Sequence, residues 1–96
     1  MFYEKNVGSF SGLMREAELL DLDSGIRSYV THEGKRQFVF ITRSARGYTL
    51  MVYWRRARGR TESPEGRLLV KEFKTTADLS SFLRGIIERP VRAFVY

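Results

Sequence analysis

The chain has 96 residues, of which 43% are hydrophobic and 14% aromatic, enough for one packed core, so we expect a single domain over residues 1–96. It has no cysteine, which excludes disulfides, thiolate nucleophiles and cysteine-ligated metal and fits a cytoplasmic location. No apolar run approaches the roughly 20 residues needed to cross a bilayer, and the acidic Glu4 near the start is untypical of a secretion signal. We therefore expect neither a membrane protein nor a secreted one.

The charge is strongly basic and unevenly distributed. The net charge is +6, which attracts anionic partners. Residues 1–24 carry five acidic and two basic side chains, whereas residues 25–96 carry 15 basic and six acidic ones, so the net positive charge comes entirely from residues 25–96. Most of the bases are arginine, which suits phosphate and stacks on rings, although an arginine-rich genome would produce the same bias.

The N-terminal part predicts a short strand and a short helix. Residues 2–7 form the strand, and glycines and serines over residues 8–12 form a loop. Residues 13–22 carry apolar side chains at helical spacing, with Ser11 as the expected N-cap, although a strand is a competing interpretation of this segment.

The middle of the chain changes to a period of two, which is typical of strands. Between these strands, polar residues and glycines indicate turns, and the arginine-rich residues 56–60 lead into a loop. The strand at residues 48–55 would place Tyr53 and Arg55 on one face and Trp54 on the other. The strands predicted in this way cover residues 25–31, 37–42, 48–55 and 67–73.

An amphipathic helix is predicted over residues 75–88, beginning at a capping-box-like Thr75 and Asp78 and ending before Pro90. Residues 91–96 could form a final edge strand. The predicted class is α+β: a mainly antiparallel sheet of five to six strands, with this helix and the short N-terminal helix packed on one face.

The chain offers little for catalysis. His32 is the single histidine and falls at a hairpin tip, where an exposed turn residue is the simpler interpretation. Glu16 and Glu18 would point about 200° apart on a helix, so they suit a solvated surface better than a paired-carboxylate site. The glycines match no phosphate-binding loop. We expect a non-enzymatic protein without a cofactor or metal site.

The strongest functional pattern is a pair of aromatic residues, Tyr53 and Trp54, that runs into four arginines. Rings beside positive charges are what binders of single-stranded nucleic acid use, since bases stack on rings and cations hold phosphates. The alternative is that these side chains only stabilise neighbouring strands. If the strands at residues 25–31 and 48–55 share one face of the sheet, that face and the basic turn after it form a nucleic-acid site. Its residues are Arg27, Tyr29, Tyr53, Arg55, Arg56, Arg58 and Arg60.

Antiparallel strands followed by one helix over residues 25–87 resemble the unit of the Whirly-like single-strand binders, which include a group of transcriptional coactivators. The resemblance rests on the aromatic end of one strand, the basic turn at residues 56–60, the strand at residues 67–73 and the helix opening at Thr75. It is a likeness of element order without a shared motif, and the N-terminal helix and the final strand depart from it. It implies binding of single-stranded nucleic acid.

A protein-interaction module is the alternative function. An adaptor or inhibitor could use the acidic N-terminal segment or the exposed edge of the strand at residues 91–96, because strand addition needs mainly free backbone groups. The same edge could join two copies of the chain as a homodimer.

Overall fold

The computed structural model of the protein describes residues 3–22, 24–32, 34–55 and 64–95; the side chains of residues 32, 35, 53–55 and 64–68 lie outside this description. The α+β class is confirmed, with six antiparallel strands and two helices packed on one face of their sheet. The elements in chain order are β1 (Tyr3–Lys5), α1 (Phe10–Glu18), β2 (Gly25–His32), β3 (Lys35–Ser44), β4 (Gly47–Arg55), β5 (Pro64–Phe73), α2 (Thr76–Leu83) and β6 (Ala93–Val95).

The strand order across the sheet is β1-β6-β2-β3-β4-β5. The four strands β2 to β5 form a meander, because each runs antiparallel beside the strand that precedes it in the chain. No helix in the described ranges is long and apolar enough to span a bilayer.

The core lies between the sheet and the two helices. Alternate residues of the central strands point toward the helices, as the two-residue period of a strand requires. α1 contributes Leu13 and Ala17, one helical turn apart, and α2 contributes Leu79 and Leu83 at the same spacing. The sheet residues in this core are Ile26, Val30, Val39, Ile41, Tyr48, Leu50, Val52 and Ala93.

The first helix begins and ends earlier than predicted. Its N-cap is Ser9, whose hydroxyl accepts a hydrogen bond from the Gly12 amide at 3.2 Å, so the prediction of Ser11 was wrong. Gly12 makes the early start feasible, because a Cβ there would lie 1.9 Å from the Val7 carbonyl oxygen. The helix ends at Glu18, and Arg43 donates to the Glu18 carbonyl at 3.3 Å.

The second helix is shorter than predicted. Thr75 is its N-cap and accepts from the Asp78 amide at 3.2 Å, as expected, but the helix ends at Leu83 rather than near residue 88. The following residues bond to β2 instead: the Thr31 amide donates to the Ile86 carbonyl at 2.7 Å, and the Glu88 amide donates to the Tyr29 carbonyl at 2.9 Å. Backbone pairing with β2 therefore ends the helix, well before Pro90.

The last strand is not an edge strand, and that prediction was wrong. β6 lies between β1 and β2, with Phe94 in register with Glu4 on one side and Arg27 on the other. Strand addition, or a homodimer, through residues 91–96 would need a free edge on this strand. β1 already pairs with that edge over residues 93–95. In the described part of the sheet the outer strands are β1 and β5.

Candidate nucleic-acid interface

One face of the sheet carries no helix in the described residues. Strand alternation puts Arg27 and Tyr29 of β2 on this face, since Ile26, Ser28 and Val30 point into the core. Their register partners on β3 are Phe40 and Phe38, so the same face continues across the hairpin. We call this surface the open face; its members are Arg27, Tyr29, Arg36, Phe38, Phe40, Met51, Arg92 and Phe94.

Arginine side chains stack on the rings of the open face. The guanidinium carbon of Arg27 lies 4.2 Å from the ring centroid of Phe38, and that of Arg36 lies 4.2 Å from the centroid of Tyr29. Phe38 is only 4% exposed although it faces away from the helices. Such cation–π contacts hold a planar cation close to a ring.

A second cluster joins the open face at its β6 side. Tyr29 and Phe94 meet edge to face, with ring centroids 5.7 Å apart and an interplanar angle of 85°. The guanidinium carbon of Arg92 lies 5.2 Å from the Phe94 centroid and 5.9 Å from that of Tyr29. Both rings are half-buried, so the open face combines partly covered rings with exposed cations.

A glycine at the start of β2 makes room for one of these rings. A Cβ on Gly25 would lie 2.5 Å from Cε1 of Phe40, so the Phe40 ring covers the glycine backbone. Gly25 is buried. The ring therefore extends the aromatic surface to the end of the hairpin that is far from the turn.

Two carboxylates pair with arginines of the open face. Arg36 Nε donates to Glu88 Oε2 at 2.7 Å. Arg92 donates to Glu4 twice, from Nε to Oε2 at 2.8 Å and from Nη2 to Oε1 at 3.0 Å. The hydrogen bond from Arg92 lowers the pKa of Glu4, and the same bond raises the pKa of Arg92. Glu4 is therefore ionised at neutral pH.

The acidic N-terminal segment, residues 1–24, contacts the rest of the chain through Glu4 and Glu18, and Lys5 pairs with Glu16 within the segment. Glu4 pairs with Arg92, and Lys5 Nζ lies 2.5 Å from Glu16 Oε1. Glu18 Oε1 accepts from the Thr76 hydroxyl at 3.2 Å, which joins α1 to the start of α2.

Two of the seven predicted site residues lie on the open face with described side chains: Arg27 and Tyr29. The Cα of Tyr53 is in register with Phe38, so its backbone is in the same row, but its side chain and that of Arg55 lie outside the description. Arg56, Arg58 and Arg60 lie outside the described residues altogether. Their placement in the site stays a prediction.

Sequence reasoning missed six residues of the open face: Arg36, Phe38, Phe40, Met51, Arg92 and Phe94. The three on β3 could have been found, because the hairpin register that pairs His32 with Lys35 also places Phe38 opposite Tyr29. Arg92 and Phe94 had no such signal, since a contact between residues more than 60 positions apart depends on where β6 inserts in the sheet.

No known protein family, curated protein or solved structure matches this chain. The similarity of its element order to the Whirly-like binders therefore stays an expectation from the sequence. Within the described residues, no group of three or more histidine, aspartate or glutamate side chains could hold a metal ion.

Proposed function

We propose that this protein is a non-enzymatic module that binds single-stranded nucleic acid on the open face. The observation that carries the proposal is the position of three arginines, Arg27, Arg36 and Arg92, over rings of the open face. A phosphate backbone needs cations that are held in place, and unpaired bases need flat apolar surfaces beside them. The open face supplies both within a few ångströms.

The charge of the whole molecule supports the same function. A net charge of +6 draws polyanions toward the protein from any direction, and the stacked arginines then provide directed donors at one surface. A guanidinium has five N–H donors in a planar fork, so stacking on a ring still leaves edges for phosphate oxygens. Lysine would offer the charge without the plane.

A single strand suits this surface better than a duplex. The rings of Tyr29 and Phe94 are half-buried parts of a broad sheet, and the part of the chain that is described shows no helix or ribbon projecting from this face into a groove. Bases that are already unstacked can lie against rings and guanidinium planes, whereas paired bases present mainly their phosphates.

The test is fluorescence anisotropy of labelled oligonucleotides with nuclease-treated protein. Arg27→Gln/Arg36→Gln removes two stacked cations of the open face, and Arg46→Gln/Arg84→Gln removes the same charge from the β3–β4 turn and the end of α2. We expect the first variant to lose roughly tenfold or more in affinity for a single strand at ~50 mM salt and the second to lose no more than about threefold. Equal losses, or no binding by the wild type, would refute the proposal.

The salt dependence of the affinity, measured on the wild type and on both variants, distinguishes binding at the open face from non-specific electrostatic binding. Wild-type affinity should fall steeply between about 50 and 200 mM salt, because each neutralised phosphate releases counterions. The slope should be shallower for the open-face variant than for the control. Circular dichroism on all three proteins checks that the sheet is intact.

One observation favours a protein-interaction function as the second candidate. In the described part of the sheet β5 is an outer strand of ten residues, and Val70 on it is 47% exposed. An outer strand with an exposed apolar side chain is suited to strand addition. A defined partner that copurifies after nuclease treatment and is lost in Val70→Lys would support this function.

A cytoplasmic location is proposed with either function, because the chain has no cysteine.

A further inference from the structure

Arg92 makes hydrogen bonds to a buried residue through its backbone and to an exposed residue through its side chain. Its backbone carbonyl accepts a hydrogen bond from the hydroxyl of Ser28 at 2.5 Å, and Ser28 is 1% exposed in the middle of the sheet. Its guanidinium is bonded to Glu4 on β1, a three-residue strand at the outer end of the sheet whose residues are all exposed. The arginine is anchored, while the carboxylate is at the periphery.

The contact between the two side chains has the form that arginine uses for phosphate. Two parallel N–H donors meet the two oxygens of one carboxylate, and the same fork accepts two oxygens of a phosphate group. The guanidinium also lies over the rings of Tyr29 and Phe94, where a base beside that phosphate would stack.

We propose that Arg92, with the rings of Tyr29 and Phe94, forms a phosphate subsite of the open face, and that Glu4 occupies this subsite until a nucleic-acid phosphate displaces it. The inference rests on the proposed function and adds to it the regulation of the site. β1 then acts as a built-in competitor, since it brings a negative charge to the position that the ligand needs.

The ion pair is weak enough to be exchanged. The side chains of Arg92 and Glu4 are 46% and 47% exposed, and exposed pairs contribute little because water and salt screen them. The second pair of the open face differs, because the Glu88 side chain is 27% exposed and its backbone amide is bonded to Tyr29. Glu4 is therefore the carboxylate that gives way.

The experiment measures binding of a labelled single strand to Glu4→Gln at about 50 mM salt, with Glu72→Gln as the control. Glu72 is exposed on β5 and is in register with Thr49, so it lies on the same sheet face as Glu4. Its replacement by Gln removes the same charge as Glu4→Gln. We expect Glu4→Gln to bind about three- to fivefold more tightly and Glu72→Gln less than about twofold more tightly than the wild type.

The same pair of variants in an Arg92→Gln background shows whether the gain acts through Arg92. The proposal requires the gain from Glu4→Gln to vanish there. A gain of equal size in both backgrounds would mean long-range electrostatics and would overturn the subsite, as would no gain at all.

A wild type that fails to bind any oligonucleotide would refute the proposed function. The subsite is then tested separately, by phosphate binding. Sodium phosphate is titrated against the NMR signal of the Arg92 Nε–H group, with sodium chloride at equal ionic strength as reference. Saturable shifts at lower phosphate concentration in Glu4→Gln than in the wild type support the subsite, and identical titrations in the two proteins overturn it.

Discussion

Tyr29 and Phe94 come from strands that are far apart in sequence, and their rings meet edge to face at 5.7 Å on the open face of the sheet. Tyr29 is also bonded through its backbone carbonyl to Glu88, and its ring lies under Arg36. One residue thus joins β2, β3, β6 and the segment that follows α2.

The first prediction concerns these two rings. Tyr29→Leu should weaken binding of a single strand by about 1–3 kcal/mol, because a base loses its stacking partner. Phe82→Leu removes a ring from the Phe73–Phe82 pair, which lies on the helix side of the sheet, and should leave binding unchanged. Anisotropy measures both effects. Equal weakening by the two changes would show that binding follows stability rather than the open face.

The second prediction concerns two glycines with different surroundings. Gly12→Ala should lower the free energy of unfolding by about 1–3 kcal/mol, because the new Cβ would meet the Val7 backbone at 1.9 Å and backbone cannot rotate aside. Gly85→Ala meets nothing within 4 Å and should change stability by no more than about 1 kcal/mol. Urea unfolding of the two variants decides, and similar values for both would contradict the close packing of α1 on residue 7.

The third prediction contrasts two buried polar side chains. Ser28→Ala removes the hydrogen bond to the Arg92 carbonyl and should destabilise the protein by about 1–3 kcal/mol. Gln37 is 2% exposed, and its Oε1 has no hydrogen-bond partner in the described structure. Gln37→Met, which is similar in volume, should therefore cost less than about 1 kcal/mol or stabilise the protein. A larger loss of stability from Gln37→Met than from Ser28→Ala would contradict a buried Gln37 whose Oε1 has no hydrogen-bond partner.

The fourth prediction follows from the lowered pKa of Glu4. A carboxyl whose pKa is lower in the folded than in the unfolded state stabilises the fold above its unfolded pKa, and this contribution is lost as the pH falls through the folded value. The wild type should therefore be more stable than Glu4→Gln at about pH 7, and the difference should decrease as the pH falls below the unfolded-state pKa of about 4.3. Urea unfolding across this range measures it. A difference that is independent of pH would mean that the ion pair with Arg92 does not form in solution.

Local patterns predicted most of the elements correctly. The period-two segments became β2 to β5, and Thr75 with Asp78 began a helix, because alternation and capping depend on residues within a few positions of each other. Two errors concern the ends of helices, and a third concerns the position of β6 in the sheet. α1 begins at Phe10 because Gly12 packs on Val7, and α2 ends at Leu83 because the next residues bond to β2.

The candidate site divides in the same way. The sequence by itself determined the α+β class, the basic charge and the alternation that puts Arg27 and Tyr29 on one side of a strand, since all of these follow from composition and local spacing. Only the tertiary structure decided that β6 enters between β1 and β2, which brings Phe94 to Tyr29 and Glu4 to Arg92. No local propensity encodes that insertion, because a three-residue strand gains its stability from the two neighbours that it pairs with.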